Sequence, residues 1–542
     1  MPRQARKHNT SKYTPLPPRP AKGKTDEPEL SDHSMSLYWS APPSLLILLE
    51  WLKEQGIWLS EKLKVKEMPD GQGWGVVSTQ VGIPLEVVCR IPRTAILSVH
   101  TSDLDSIIPN KIWRQIPLLI QLTLTLLHEM RKGPASRYYG YLQSLPRQPV
   151  SIVALWDEDE LFGQDGKKAL EKLAGTEMMR ETRRMAKEER SKDEIRTYWK
   201  VTKDSFPSTP STLGPPTFLD VMHAYSLVTS RAFQVDAYHG AAMVPLADIF
   251  NHREDNHVCF ESDDFVCDVC GSLPACEHDG LNSLSIPLRL SHLPAEVVSS
   301  YSDPSQNTVD LTIATPFAPD EEVFNTYGDH IGWSQMLNEW GFVDETGDPF
   351  GRGIGWESKE VLGDGEKRED HEARRKLWKS LCNREVSSED EQEDALVFEP
   401  DQEQGKYNAK DSLLINSDGQ ISTPLFWACF ATSLPEEEME GKSREALVIL
   451  GLETRTRLEA RSESDGLIVW DEDPVSRSCT EIILELLQER LKRMWHANWT
   501  IDKLCDYADA LPTDAKLQKM ALKLLIEERR VLEVVQQRWS LY

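Results

Sequence analysis

Hydrophobic residues recur at helical spacing in several stretches of this chain and gather into short extended runs between them. Leu45, Leu48, Leu49 and Leu52 fall on one face of a helix that follows Pro42 and Pro43 and that Ser44 can cap. Leu118 to Met130 is a mostly apolar helix opened by Pro117, a residue whose fixed φ suits the first helical turn. Towards the end, Ile483, Leu487, Leu491 and Met494 keep the same period, as do Leu517, Ala521, Leu525, Leu532 and Val535. The extended runs are Leu85 to Ile91, a β-rich run from Glu322 to Tyr327 that stops at Gly328, and an apolar run from Met243 closed by Asp248, Asn251 and His252. Strands and helices therefore mix in the first part of the chain, and the last part is helical.

Polar stretches divide these elements. Glu177 to Lys200 reads as a charged helix, Asp204 to Pro216 as a Ser/Thr/Pro-rich loop, and Asp344 to Gln420 as an irregular acidic insertion. At 542 residues the chain has room for two or three domains. Its net charge of -27 is unevenly spread, because residues 1–24 are basic and proline-rich, with Arg3, Arg6, Lys7, Lys12, Arg19, Lys22 and Lys24. That tail is expected to be disordered, either as a targeting or RNA-touching arm or as a merely solvated extension. The acidic body argues against nucleic acid as a partner except through the tail, and for attraction of a basic protein such as a ribosomal protein or histone. The run Leu45 to Leu49 is too short for a membrane span and is followed by Glu50 and Lys53. No apolar h-region opens the chain, so a nuclear or cytoplasmic location is expected.

Nine cysteines in a long chain of this kind point to reduced thiols instead of a disulfide framework. Cys259, Cys267, Cys270 and Cys276 lie close together, with His257 and His278 interleaved. Cys267-x-x-Cys270 followed by Cys276-x-His278 supplies three thiols and an imidazole, which is a tetrahedral zinc set in type. A plain loop insertion is the competing reading of the same residues.

Two segments bear most directly on function. Met243-Val244-Pro245-Leu246-Ala247-Asp248-Ile249-Phe250-Asn251-His252 ends an apolar run at a polar site, and Val323-Phe324-Asn325-Thr326-Tyr327-Gly328 places a tyrosine where a strand opens. Alone, each also fits a turn or a core tyrosine. In this order they resemble the paired C-terminal motifs of SET-domain methyltransferases. Gly73-Trp74-Gly75 upstream resembles the glycine element of that family, Ser230-Arg231-Ala232-Phe233 its Ser-Arg-x-Phe element, and Asn338-Glu339-Trp340-Gly341-Phe342-Val343 its Tyr-Gly-Phe element with Trp340 in place of tyrosine. The resemblance is to the relatives of the RuBisCO large-subunit lysine methyltransferase more than to histone-type enzymes.

The resemblance implies an α+β fold: a SET-domain β-fold with an inserted helical region, followed by an all-α C-terminal substrate-binding domain. The expected divisions are a tail at 1–36, a SET domain at 37–343 with a helical insert at about 110–235 and a candidate zinc loop at 257–280, the acidic insertion at 344–420, and a helical domain at 421–542. It further implies an S-adenosylmethionine-dependent protein N-methyltransferase acting on lysine. Gly73, Trp74, Gly75, Asn251, His252 and Tyr327 are the expected cofactor contacts, with Tyr327 also orienting the acceptor amine. Arg231, Asp248 and Trp340 are the expected substrate contacts, although Arg231 and Asp248 also suit a buried ion pair. Cys267, Cys270, Cys276 and His278 are the candidate zinc ligands beside that cofactor. Histidine as the acceptor, and a binding scaffold without turnover, remain open at this level.

Overall fold

The computed structural model describes residues 3–4, 45–69, 73–207, 214–280, 286–301, 303–351, 353–363, 368–382, 396–398, 413–462 and 474–540. The chain divides into two compact units, Met1–Val150 with Glu189–Asp329, and Ser151–Glu188 with His330–Tyr542.

The first unit is built on an antiparallel sheet whose strands lie in the order Trp58–Leu59, Val87–Pro92, Thr308–Ile313, Val258–Glu261. Thr308–Ile313 buries Val309, Leu311 and Ile313 on one face, as the two-residue period of a strand requires. Its register pairs Ile91 with Val309 and Phe260 with Leu311. A hairpin, Leu63–Glu67 with Trp74–Ser78, stands beside it, and Ala232–Gln234 pairs with Ala241–Met243. The helix Leu118–Lys132 packs against the helix Phe218–Arg231, which Thr217 opens with a capping box to Asp220. Of the expected disordered tail, residues 3–4 are described, and they pair in parallel with Phe233 and Gln234; the remainder lies outside the described residues.

The first helix, Leu45–Glu54, buries a different face from the one its leucines suggested. Leu48, Trp51 and Leu52 are inside while Leu49 is exposed. Trp51 decides this: its indole Nε1 donates to the Arg137 carbonyl at 2.8 Å, and its ring fills the space that a Cβ on Gly140 would take.

In the second unit the helix Asp159–Lys172 packs along the long helix Lys516–Trp539. The Asp165 carboxylate accepts from the Leu517 backbone N–H and from Gln518 Nε2, each at 3.0 Å, so it caps the long helix from outside that helix's own sequence. A large aromatic and aliphatic core gathers Trp378, Phe426, Phe430, Leu525 and Trp539. Arg490, whose side chain is 12% exposed, donates to Glu528 Oε1 at 2.5 Å and Glu177 Oε2 at 3.0 Å, and to the Gly355 carbonyl at 2.8 Å.

Two expectations about organisation need correcting. The helical insert is shared between the units, because 151–188 belongs with the C-terminal helices and 189–235 with the first unit. The charged helix expected over 177–200 accordingly breaks into Met178–Lys187 and Lys192–Thr202, with Glu189 in the left-handed region at φ 55° and Ser191 capping the second piece. The 344–420 stretch is also not irregular where it is described. It carries the helices Ser358–Leu362 and Arg368–Cys382, and the strands Ile354–Gly355, Val397–Phe398 and Leu414–Ile415, which form a small sheet with Ile421–Ser422. From Thr423 onwards the described elements are helices. Among the described residues no helix is long and apolar enough to cross a membrane.

Candidate active site

The two motif segments meet in the first unit. Residues 323–327 pass alongside both arms of the 251–258 loop: the Asn325 N–H donates to the Asn251 carbonyl at 2.9 Å, the Arg253 N–H to the Asn325 carbonyl at 3.1 Å, and the Val258 N–H to the Phe324 carbonyl at 3.0 Å. On the opposite edge the Val323 N–H donates to the Val76 carbonyl at 2.8 Å, which brings in the strand Trp74–Ser78. Three segments remote in sequence thus share one short stretch of backbone, and none forms a long strand there. Such a crossing exists only through these bonds, since one-residue bridges have no repeating ladder to fix their register.

Leu246, fully buried in the first motif, sits in the left-handed region at φ 70°. For a leucine that conformation costs about 1–3 kcal/mol and persists because the packing around it dictates it. The turn it makes leads into the short helix Ala247–Ile249, which packs against Trp74–Ser78, and then into Asn251 and His252.

At the crossing, the Tyr327 backbone N–H donates to His252 Nδ1 at 3.1 Å, and the two rings lie 5.0 Å apart. With Nδ1 accepting, the neutral imidazole carries its proton on Nε2. Tyr327 is only 8 % exposed, just past the bridge residue Asn325. Asn251 Nδ2 donates to Glu322 Oε1 at 2.7 Å. Burial pushes the Glu322 carboxyl above its ordinary range, against the opposing pull of that hydrogen bond.

Asn325 is 1 % exposed. Its Oδ1 accepts from the Thr326 N–H at 2.9 Å, which fixes the amide's orientation, and its Nδ2 has no partner among the described residues. A buried donor without an acceptor costs about 1–3 kcal/mol, so such an atom marks a place where a ligand can supply the missing bond. The side chain of Arg231 is 22 % exposed and likewise has a buried Nε without a partner among the described residues, while its Nη1 donates to the Asp248 carbonyl at 2.9 Å. S-adenosylmethionine offers a carboxylate and adenine nitrogens as acceptors and an ammonium as donor. The two unpartnered donors and the half-buried Glu322 carboxylate are matched to that set.

The expected glycines lie at this crossing for reasons of their own. Gly73 has φ 81°, a left-handed conformation, and a Cβ there would meet open space. Gly75 instead cannot carry a Cβ because the Met68 side chain and Glu322 Oε1 occupy the position, so it is a protein contact that demands glycine there. Trp74, between them, is half-buried and pairs with Glu67.

One of the expected substrate contacts is placed differently. The Asp248 carboxylate is fully buried, where it accepts from the Tyr141 hydroxyl at 3.0 Å and faces Arg231 Nη1 at 3.5 Å; it braces the site from within and is not open to a substrate. Trp340 belongs to the second unit, buried at the C-terminal end of the helix Trp333–Glu339. Sequence reasoning also missed Glu322, Asn325 and Tyr141 as parts of the site. For Asn325 a signal existed: an amide inside an otherwise β-forming run is costly to bury, and therefore has a task.

The proposed metal set is brought together as expected. The ligand atoms of Cys267, Cys270, Cys276 and His278 all lie within 4.8 Å of one another. Cys259 and His257 stand apart from that group: Cys259 is buried in the strand Val258–Glu261, and His257 approaches Arg253 Nη2 at 2.8 Å.

No family model matches the chain. Among curated proteins it is 30% identical to "Ribosomal lysine N-methyltransferase 3" of Saccharomyces cerevisiae over 154 residues, 22% of this chain and 28% of that protein. It is 26% identical over 321 residues to the chloroplastic "[Fructose-bisphosphate aldolase]-lysine N-methyltransferase" of Arabidopsis thaliana, covering 56% of this chain and 61% of that one. The chain thus spans less than two thirds of the length of either. Among solved structures, Rubisco LSMT bound to AdoMet superimposes with a TM-score of 0.57 at 14% identity, over 92% of both chains. In sequence and in fold alike, the chain resembles the SET-domain lysine methyltransferases related to the Rubisco large-subunit enzyme.

Proposed function

We propose that this chain is an S-adenosylmethionine-dependent protein-lysine N-methyltransferase whose acceptor lies on a basic protein such as a ribosomal protein. The observation that carries the reading is the crossing itself, where Tyr327, His252 and the unpartnered Nδ2 of Asn325 stand beside the glycine-flanked strand Trp74–Ser78. Asn325 and Arg231 would donate to the acceptors of the cofactor, and Glu322 would receive its ammonium. Bound there, S-adenosylmethionine supplies a methyl group on a sulfonium, an electrophile open to in-line displacement.

The remaining work falls to this chain's own side chains. A lysine amine with an ordinary pKa near about 10.4 is mostly protonated at neutral pH, so the site must favour its neutral form and hold its lone pair in line. Tyr327 suits the second task, because its hydroxyl can accept from the amine or donate to it without ionising. His252 holds the Tyr327 backbone, and with it the direction of that hydroxyl. Its Nδ1 is committed to this bond, so proton removal is left to water.

The choice of acceptor protein rests on two supports. One is the likeness to the ribosomal lysine N-methyltransferase of yeast, and the other is the net charge of -27, which attracts cationic surfaces. Attraction of this kind is screened beyond about 10 Å at 0.1 M ionic strength, so labelling should fall as salt rises. The test is methyl labelling of purified basic and acidic proteins by the full chain. Acid-stable label on lysines of a ribosomal protein is the expected result; label confined to acidic proteins or to RNA refutes the proposal.

A further inference from the structure

Among its described residues, the segment between the strands Val258–Glu261 and Thr308–Ile313 gathers only a small apolar cluster, with Phe265, Ile286, Leu293, Val297 and Val298 partly buried against it. Its buried cluster comprises Val266, Leu273, Leu290 and Tyr301. So small a core is far below what an independent fold needs, and loops of this kind are held by a staple of another sort. The staple is visible in the geometry.

We propose that Cys267, Cys270, Cys276 and His278 bind one structural zinc ion that takes the place of a core in this insertion. Ligands about 2.3 Å (sulfur) and 2.1 Å (nitrogen) from a tetrahedral zinc stand about 3.6 Å from each other. Cys276 Sγ and His278 Nδ1 are 3.7 Å apart, the edge of such a tetrahedron, and the four ligand atoms together stay within 4.8 Å.

The backbone around the first two cysteines is arranged as a thiolate needs. The Gly271 N–H donates to the Cys267 carbonyl at 2.8 Å and the Cys267 N–H to the Ser272 carbonyl at 2.9 Å, closing a tight turn. Within it the Val269 N–H points at Cys267 Sγ at 3.4 Å, a donor to the sulfur charge. Gly271 completes the turn at φ 69°, and a side chain there would strike Tyr238.

The second pair of ligands is braced from outside. The Cys276 N–H donates to Asp279 Oδ2 at 2.8 Å, and Arg289 Nε donates to Asp279 Oδ1 at 2.8 Å. The other nitrogens of Arg289 donate to the carbonyls of Leu273 at 2.9 Å and Pro274 at 2.8 Å. These outer contacts hold the Cys276–His278 turn, as supporting shells of metal sites do. His278 turns Nδ1 inward, with Nε2 near Glu277 at 3.8 Å.

Three thiolates and an imidazole select a tetrahedral, borderline-soft ion, which is zinc. The other cluster of ligating side chains among the described residues, Asp103, His128 and Glu129, already holds a cation: Lys132 Nζ lies 2.6 Å from Asp103 and 2.9 Å from Glu129. Among the described residues, no Lys or Arg is paired with the cysteine group in this way.

The test uses full-length protein purified without chelator. Elemental analysis should read about one zinc per chain, and cobalt(II) exchanged into the site should show thiolate charge-transfer absorption with intense visible bands of a tetrahedral centre. Cys267→Ser with Cys270→Ser should lose the metal, whereas Cys259→Ser, a neighbouring buried thiol, should keep it. Cys276→His, which retains a ligand, should keep metal that Cys276→Ser loses, so that a folding defect alone cannot account for the pattern. Zinc persisting in the double variant, a Cys267–Cys270 disulfide, or metal-free protein whose four groups react freely would overturn the proposal.

Discussion

The crossing in the first unit and the helical core of the second are both buried, and they are held by opposite means. At the crossing the cohesion is polar and local: backbone bonds between 251–258 and 323–327, the His252–Tyr327 contact, and the Asn251–Glu322 pair. In the second unit Trp378, Phe426, Phe430 and Trp539 pack with aliphatic residues, and charges such as the Arg490–Glu528 pair are set among them. The difference teaches where change can be tolerated. A side chain at the crossing can lose one atom and leave the backbone bonds intact, so chemistry is separable from folding there. In the second unit nearly every large side chain is packing, so substitution is felt as stability.

The largest effect is expected at Arg490. Burial alone would lower its pKa, but the carboxylates of Glu528 and Glu177 outweigh that and hold it above its ordinary value. Arg490→Met strands both carboxylates, and breaking a buried pair in this way costs about 3–5 kcal/mol, read as a fall in denaturant midpoint. Burial already raises the Glu528 carboxyl to about 7 against the pull of Arg490, and loss of the cation raises it further. A raised carboxyl gives stability below its unfolded pKa and loses it as pH climbs through the folded one. The variant should therefore recover stability on acidification from pH 8 to pH 5 relative to the parent. A deficit independent of pH would mean that the guanidinium matters only as packing.

Next comes Tyr327→Phe, which removes one hydroxyl and changes packing little. Turnover should fall by about a hundredfold or more, near 2.7 kcal/mol in the barrier, with S-adenosylmethionine affinity and thermal midpoint close to the parent. Parent-rate methylation would return Tyr327 to the status of a core residue.

How far the sequence reveals the molecule differs between the same two regions. The motif residues 243–252 and 323–328 identified the crossing through their co-occurrence in this order, since each alone fits a turn or a core tyrosine. The Leu517 to Val535 helix was equally plain, since its period is carried by residues that are all buried. What stayed hidden was partner choice. Nothing in the local pattern of 151–188 says that Asp165 will cap a helix at Leu517, and two-residue strands such as Ile354–Gly355 have no period to detect. At the site, Asp248 was misjudged and Glu322 missed because pairing is a long-range fact: Asp248 is held by Tyr141 and Arg231, and one oxygen of Glu322 accepts from Asn251. Truncation after Phe342 would strip 151–188 of the helices it belongs with, so single substitutions are the better probe.

The smallest expected effect bears on the central claim. Calorimetric titration of the full chain with S-adenosylmethionine should show one site per chain, and Asn325→Ala should weaken it by about tenfold, near 1.4 kcal/mol, because a hydrogen bond to a charged or polar ligand atom is lost. Thermal unfolding run alongside separates this from a general loss of fold. Saturable binding that weakens in Asn325→Ala is what the account predicts; no binding by the parent, or equal affinity in the folded variant, would contradict it.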